Sequence, residues 1–317
     1  MDKVAELQQK DVPEILFPTV GIFLPLLEAK REKILATSKR TFQYGATERH
    51  KLDIYYPSAT STPSKSPLLF FSYGGGFDTG ARALPPPADL VYANLGSYFS
   101  SQGFITIIPD YRLVPSVQHP GAAQDVRDAM QWAIDNPENL AFGGATEPDL
   151  DALFVMGHSA GAMNVFTILI TPELYSATLH PRIKGAVLFA GAYTFEEMPG
   201  FMTVAVEQYY GPASVEQVNG HEHKGKHQRE KLPLGLLQAA TEEKITSLPR
   251  LLLGIAERDP DSLIDASKNF QLALEARGLT YDKFVAAGHN HISVNFAVGT
   301  GQGEEWAEDV VKWIRSV

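Results

Sequence analysis

The sequence predicts an α/β fold with a mostly parallel central sheet covered by helices on both faces. Three observations predict it. Short, mostly apolar runs of strand length recur at Leu68 to Ser72, Phe104 to Pro109, Ala152 to Met156, Ile183 to Ala190 and Arg250 to Ile255. Such runs suit strands buried on both faces. Segments with helical apolar spacing lie between them. One of the strand runs passes through Gly157-His158-Ser159-Ala160-Gly161 directly into the apolar, helix-compatible Ala162 to Phe166.

Taken in order, residues 1 to 40 form an apolar patch flanked by charged, helix-favouring sequence (Leu26 to Leu35), so a helical segment lies over another part of the molecule. The patch, Ile15 to Leu27, contains Pro18 and Pro25 and follows a mixed, acidic stretch. It has neither the basic start nor the cleavage site of a signal peptide, and it is shorter than the roughly 20 residues that span a bilayer. The expectation is a cytoplasmic protein with no membrane span. Thr41 to Tyr44 and Lys51 to Tyr56 alternate as antiparallel strands do. Pro57 to Ser66 is a Pro/Ser/Thr loop, and the strand Leu68 to Ser72 ends in Tyr73-Gly74-Gly75-Gly76-Phe77. After Phe104 to Pro109 comes Asp110-Tyr111-Arg112. A helix then sets Ala122, Val126, Ala129, Met130 and Ala133 on one side and Asp125, Arg127, Asp128 and Gln131 on the other.

The helix after Ser159 stops near Pro172, and the strand Ile183 to Ala190 follows. Residues 192 to 247 break the rhythm with scattered aromatics and Met, then the polar run Asn219 to Lys231. Arg250 to Ile255 resumes it. Ser262 to Arg277 places Leu263, Ala266, Phe270 and Leu274 on one face, Asp282 to Ala287 reads as a strand, and a last helix aligns Trp306, Val310, Trp313 and Val317. The 317 residues read as one domain.

A net charge of −10 repels phosphate backbones, which excludes nucleic acid as a partner. The chain has no cysteine, hence no disulfide framework, thiolate nucleophile or Cys-based zinc site. His221, His223 and His227 lie among Glu222, Lys224, Lys226, Arg229, Glu230 and Lys231, a solvated loop rather than a metal site. No cofactor is implied, and oligomeric state has no signal in the sequence.

Strand, sharp turn and helix around Ser159 push its hydroxyl into the open above the sheet, and only small neighbours fit there. The Ala160 N–H then lies at a helix N-terminus, where it meets an oxyanion favourably. Consecutive glycines at 74 to 76 let backbone N–H groups point inward, and Gly75 and Gly76 are the expected donors. A phosphate cradle is excluded because no Gly-Lys-Ser/Thr follows. Ligands of such sheets bind at the C-terminal strand ends, where the Gly-x-Ser-x-Gly turn, the glycine loop and the segments after Ile255 and Ala287 converge. A serine hydroxyl needs a base and the base an orienting carboxylate. Among Glu257, Asp259 and Asp261, the choice falls on Asp259: Glu257 belongs to the strand end, whereas Asp259-Pro260 starts the turn. Asp261 and Ser262 also suit a helix N-cap. Between His289 and His291 the choice is His291, whose ring reaches back from a short turn beyond the strand, with His289 a bystander.

Phe71 to Phe77, Pro109-Asp110-Tyr111-Arg112-Leu113, the Asp125 to Trp132 helix, Gly157 to Gly161, Glu257-Arg258-Asp259-Pro260 and Gly288 to His291 occur in that order. Over residues 41 to 317 the chain resembles the hormone-sensitive-lipase-type carboxylesterases of the α/β-hydrolase superfamily, and more loosely kynurenine formamidases. The resemblance implies Ser159, Asp259 and His291 as a catalytic triad, and a helical lid built from residues 1–40 and 192–247. Tyr73 stands where that family's glycine loop usually begins with His, and its hydroxyl either props the loop or points at substrate. Tyr73, Phe77, His158, Phe195 and Phe201 are the expected substrate contacts. The pocket would also draw on Met198, Met202, Tyr209 and Tyr210 from the insertion and on Ile15, Leu16, Phe17, Ile22 and Phe23 from the N-terminal run, unless these serve lid packing. The expected activity is that of a serine hydrolase on a small, moderately apolar carboxylic ester. The alternatives are an arylformamidase-like amidase and a hydrolase-fold protein retooled for ligand binding or cyclisation.

Overall fold

The computed structural model describes residues 1–58, 65–142, 147–195, 200–212, 215–218, 221–224 and 226–317, without the side chains of 201, 215–218, 221–224, 226 and 227. The chain opens with helices α1 (Asp2–Ala5), α2 (Val12–Glu28) and α3 (Arg31–Leu35). Helix α2 runs through both Pro18 and Pro25 and buries Ile15, Thr19, Phe23 and Leu27, one residue per turn, against the body. Strands β1 (Lys39–Gln43), β2 (Lys51–Tyr55) and β3 (Lys65–Ser72) follow, then helix α4 (Val91–Ser101) and strand β4 (Ile105–Pro109). Helix α5 (Gly121–Asp135), strand β5 (Glu147–His158), helix α6 (Ala160–Ile170) and strand β6 (Ile183–Phe189) come next.

The irregular insertion contains helix α7 (Thr203–Tyr210), a hairpin of β7 (Val215–Val218) and β8 (His221–Lys224), and helices α8 (Lys226–Lys231), α9 (Pro233–Ala239) and α10 (Glu242–Thr246). Strand β9 (Arg250–Arg258), helix α11 (Asp261–Ala276), strand β10 (Asp282–Asn290) and helices α12 (Ser293–Ala297) and α13 (Glu305–Ile314) complete the chain.

The central sheet has eight strands in the order β1-β2-β4-β3-β5-β6-β9-β10. The β1–β2 and β2–β4 pairs are antiparallel, and every other neighbour is parallel. The expected architecture is the observed one. Helices are locked to it by aromatic contacts: Phe166 of α6 meets Phe270 of α11 edge-on at 4.9 Å, and Trp306 of α13 meets Phe189 of β6 at 5.0 Å. No helix among the described residues is long and apolar enough to cross a membrane.

Strand ends differ from expectation: β3 begins at Lys65, inside the expected Pro57 to Ser66 loop, and β5 at Glu147, ahead of Ala152. β9 and β10 continue past their apolar runs, to Arg258 and Asn290, because the two residues still pair across a register shift. Asp125 also differs: it is 1% exposed rather than on the solvent side of α5. The Arg112 backbone N–H donates to its Oδ2 at 2.8 Å and Arg112 Nη2 to its Oδ1 at 2.7 Å. That partner arrives from the loop after β4, which helical periodicity cannot register.

Helix α7 docks on the body through His119, whose backbone N–H donates to the Tyr209 carbonyl at 2.8 Å and whose ring lies 5.1 Å from Tyr210. Burial, with Lys231 adding to it, pushes the His119 imidazole down to about 4. A histidine depressed in the folded state stabilises it fully above the unfolded value of about 6.5, and that stability drains away as pH falls towards 4. His119 alone should then remove about 2 kcal/mol of folding free energy between pH 7 and pH 5. Urea unfolding at the two pH values measures this; His119→Gln should flatten the difference, and an unchanged pH dependence in that variant refutes the assignment.

Candidate active site

Strand β5 ends at His158 and helix α6 begins at Ala160, with Ser159 between them at φ 55°, ψ −125°. This conformation is disfavoured for a residue with a side chain, so the surroundings must hold it. Ser159 N–H donates to the Phe189 carbonyl at 2.9 Å, and its own carbonyl accepts from Ala162 N–H at 2.9 Å. The turn is so tight that a Cβ on Gly161 would lie 1.9 Å from the Ser72 carbonyl oxygen. The glycine loop after β3 passes directly over the serine, where a Cβ on Gly74 would lie 2.8 Å from Ser159 Cβ.

The Gly75 carbonyl accepts from Thr79 N–H at 2.9 Å and Thr79 Oγ1 at 2.9 Å, which fixes the direction of that peptide. Among the described residues no acceptor takes the N–H of Gly75, Gly76 or Ala160. All three residues line the same cavity as Ser159 and His291.

The two segments beyond β9 and β10 meet at Asp259 and His291. His291 Nδ1 and Asp259 Oδ1 are 2.8 Å apart, and Asp259 Oδ2 accepts from Ala256 N–H at 2.7 Å. The carboxylate is fully buried and the imidazole 4% exposed. The rival residues lie elsewhere. Glu257, on the strand, accepts from Gly288 N–H at 2.6 Å through Oε2. Asp261 is exposed at the start of α11, and its hydrogen bond to Lys10 at 2.7 Å holds its carboxyl below the usual range. His289 is buried with Nδ1 2.9 Å from Ser293 Oγ and its Nε2 at the Gly303 carbonyl.

The expected substrate contacts divide. Phe195 and His158 line the cavity. The His158 ring lies 4.7 Å from that of His291, and its Nδ1 is 3.1 Å from Asn295 Nδ2. Burial, with His291 beside it, holds the His158 imidazole well below the ordinary histidine value, so it stays neutral. Tyr73 and Phe77 are not cavity residues. Tyr73 is fully buried, donating to Asp110 Oδ1 at 2.7 Å and accepting from Arg49 Nη2 at 2.9 Å. Its hydroxyl props the glycine loop instead of facing substrate, because a buried carboxylate and guanidinium claim it first. Phe77 stacks on Tyr209 at 4.2 Å and meets Tyr210 edge-on at 5.6 Å, so these three rings serve packing. The side chain of Phe201, residue Met198, and the side chains of His221, His223 and His227 lie outside the described residues.

The cavity has a volume of about 730 Å³. The N-terminal run contributes Leu16 to it, whereas Ile15 and Phe23 are buried in packing and Phe17 is exposed. The insertion adds Met202 and Ala205. Sequence reasoning missed Tyr92 of α4, the first turns of α11 (Ser262, Leu263, Ala266) and α12 with its approach (Ile292, Asn295). Proximity to Asp259 and His291 in sequence is the signal for the last two groups; Tyr92 has none. Among the described residues no group of three or more His, Cys, Asp or Glu side chains is placed to hold a metal ion.

Residues 52–268 match the family model described as BD-FAE. The chain is 32% identical over 139 residues to the probable carboxylesterase M8 of Phoma sp., covering 42% of this chain and 42% of that protein. It is 29% identical over 171 residues to the kynurenine formamidase of Salmo salar, covering 52% and 49% respectively. The matched stretch thus spans half or less of these curated relatives' length. Among solved structures, esterase B from Lactobacillus rhamnosis superimposes with a TM-score of 0.67 at 18% identity, covering 96% of this chain and 95% of that one. That likeness is one of fold. With the family match extending over more than half of its length, the chain belongs to the BD-FAE family of α/β-hydrolases.

Proposed function

We propose that this protein is a serine hydrolase that cleaves a small, moderately apolar carboxylic ester through an acyl-enzyme. Ser159 Oγ attacks the ester carbonyl while His291 Nε2 takes its proton. His291 Nδ1–H donates to Asp259 Oδ1, which fixes the tautomer that leaves Nε2 free as base. The N–H groups of Gly75, Gly76 and Ala160 receive the tetrahedral oxyanion. His291 then returns the proton to the departing alcohol, and water, activated the same way, releases the acid and restores Ser159.

The observation that carries this reading is His291, bonded to the buried Asp259, on the wall of the cavity that Ser159 and three unclaimed N–H donors also line. The esterase and carboxylesterase names among similar proteins agree with it. The substrate side rests on the wall, where Val12, Leu16, Leu84, Met163, Phe195 and Met202 offer an adaptable apolar surface.

Each buried substrate methylene should add up to about 0.8 kcal/mol, close to fourfold in kcat/KM. Across acetyl, butyryl and hexanoyl aryl esters kcat/KM should therefore climb and then fall once the cavity is full. A flat series rejects the apolar pocket. The similarity to a kynurenine formamidase supports a second reading, an arylformamidase-like amidase. An N-formyl aniline turned over faster than every ester selects it, whereas tight binding of apolar ligands without turnover selects a non-hydrolytic protein.

A further inference from the structure

Among the described polar residues that line this cavity, the one phenol has no task in the chemistry described above. Tyr92, in the first turn of α4, is 9% exposed and lines the cavity on the side of the glycine loop. Its ring is held at 5.8 Å from Phe71 and 5.6 Å from Tyr73. Helix α4 is in turn tied to the segment after α12 by the Asn94 side chain, which donates to the Val298 carbonyl. The phenol therefore has a fixed position.

The neighbouring buried phenols are spoken for: Tyr73 Oη donates to Asp110, and Tyr111 Oη to the Tyr73 carbonyl at 2.8 Å. The hydroxyls of Tyr193 and Tyr209 are sealed away from solvent. Tyr92 differs from both groups. Among the described residues nothing hydrogen-bonds its Oη, the hydroxyl is not one of the sealed ones, and the residue lines the cavity. Asn295, a polar side chain on the same cavity, is already engaged with His158 Nδ1 at 3.1 Å. Burial pushes the Tyr92 phenol above its ordinary value, so it remains an O–H donor throughout the pH range of ester hydrolysis. A buried, rigid donor without a partner is a group that a ligand oxygen satisfies and a methylene does not.

We propose that Tyr92 is a specificity-determining residue: its hydroxyl donates a hydrogen bond to an ether, hydroxyl or carbonyl oxygen that the substrate carries apart from its ester group. This rests on the hydrolase reading and narrows its substrate class. The natural substrate is an oxygen-bearing small ester, not a plain aliphatic one. Apolar walls supply affinity, and Tyr92 supplies the choice between chains of equal length that differ in one oxygen.

The test uses isosteric pairs in which oxygen replaces one methylene. In the acyl arm, 4-nitrophenyl methoxyacetate is compared with 4-nitrophenyl butyrate; in the alcohol arm, 2-methoxyethyl butyrate with n-butyl butyrate, which differ by the same replacement at equal chain length. Each kcat/KM ratio is measured for the natural chain and for Tyr92→Phe, so that intrinsic ester reactivity cancels between the two proteins. The substitution removes one unbonded oxygen and leaves both ring contacts, and thermal unfolding checks that the fold is kept. The oxygen-over-carbon ratio should fall roughly tenfold in Tyr92→Phe for one of the two arms, the value of one lost neutral hydrogen bond. The all-carbon member of each pair is the reference against which that fall is read.

Ratios that agree within about twofold between the two proteins in both arms overturn the proposal. The same pairs are also measured as binding affinities to Ser159→Ala with and without Tyr92→Phe, which requires no turnover. If the natural chain hydrolyses no ester, the hydrolase reading fails. The affinity ratios then decide the role of Tyr92 by the same criterion.

Discussion

Ser159→Ala should lower kcat on the preferred ester by about 10⁶-fold while leaving the fold intact. The variant keeps the Cβ, so the backbone bonds to Phe189 and from Ala162 that hold φ at 55° are retained. What disappears is the nucleophile, and a serine, its base and its acid act as one unit. The remaining rate should still exceed the uncatalysed one, because the N–H groups of Gly75, Gly76 and Ala160 remain to bind an oxyanion. Circular dichroism with thermal unfolding verifies the fold. Treatment of the unmodified chain with an organophosphonate, followed by peptide mapping, should place a single adduct on Ser159. An adduct on any other serine, or a Ser159→Ala variant that still turns over at more than a hundredth of the original rate, ends the assignment.

The turn at Ser159 was legible because its constraints are local. Strand-length apolarity, small residues on both sides of the serine and an apolar helix start fall within a short contiguous stretch. The position of Asp259 beyond the strand was legible in the same way. Asp259 is set apart from Glu257 by the proline that follows it, and β9 does run through Glu257 and Arg258 before the turn. Strand ends were less legible. Gly288 reads as a stop, yet β10 passes through it to Asn290, since pairing with β9 resumes at Arg258 beyond the register shift. A turn residue in one strand cannot report the partner that keeps the strand going.

Orientation was the least legible property. Tyr73 and Phe77 flank the glycine loop in sequence, which makes both look like cavity residues. Tyr73 is drawn inward by Asp110 and Arg49, and Phe77 by Tyr209, all remote in sequence. Asp125 follows the same logic, with Arg112 overriding the polar side of its helix. Each error has one physical origin: a hydrogen-bond or stacking partner supplied by a distant element outweighs local pattern. Tyr92 is the converse case, a residue whose importance comes from the partner it lacks, and no pattern in sequence encodes that.

Asp259→Asn should lower kcat about 10⁴-fold, and His291→Ala by a comparable or larger factor, whereas Glu257→Gln and His289→Ala should leave kcat within a few fold. The asparagine case follows from the bonds of the carboxylate. One oxygen of Asp259 already accepts from Ala256 N–H, so the amide of the variant turns its carbonyl to that donor. Its NH₂ then faces His291 Nδ1, which must accept instead of donate, and the ring proton is driven to Nε2. The base nitrogen is blocked although nothing has moved. Glu257→Gln keeps an acceptor for Gly288 N–H and stays outside the chemistry. His289→Ala removes the bonds to Ser293 and Gly303, so it should lose about 1–3 kcal/mol of stability with little effect on kcat. Pairing kcat with urea unfolding for all four variants separates the two kinds of damage. A dead but stable His289→Ala beside an active His291→Ala would transfer the base to the other histidine. In Asp259→Asn, heteronuclear NMR of the imidazole nitrogens should find the His291 proton moved from Nδ1 to Nε2, a displacement that loss of packing alone does not produce.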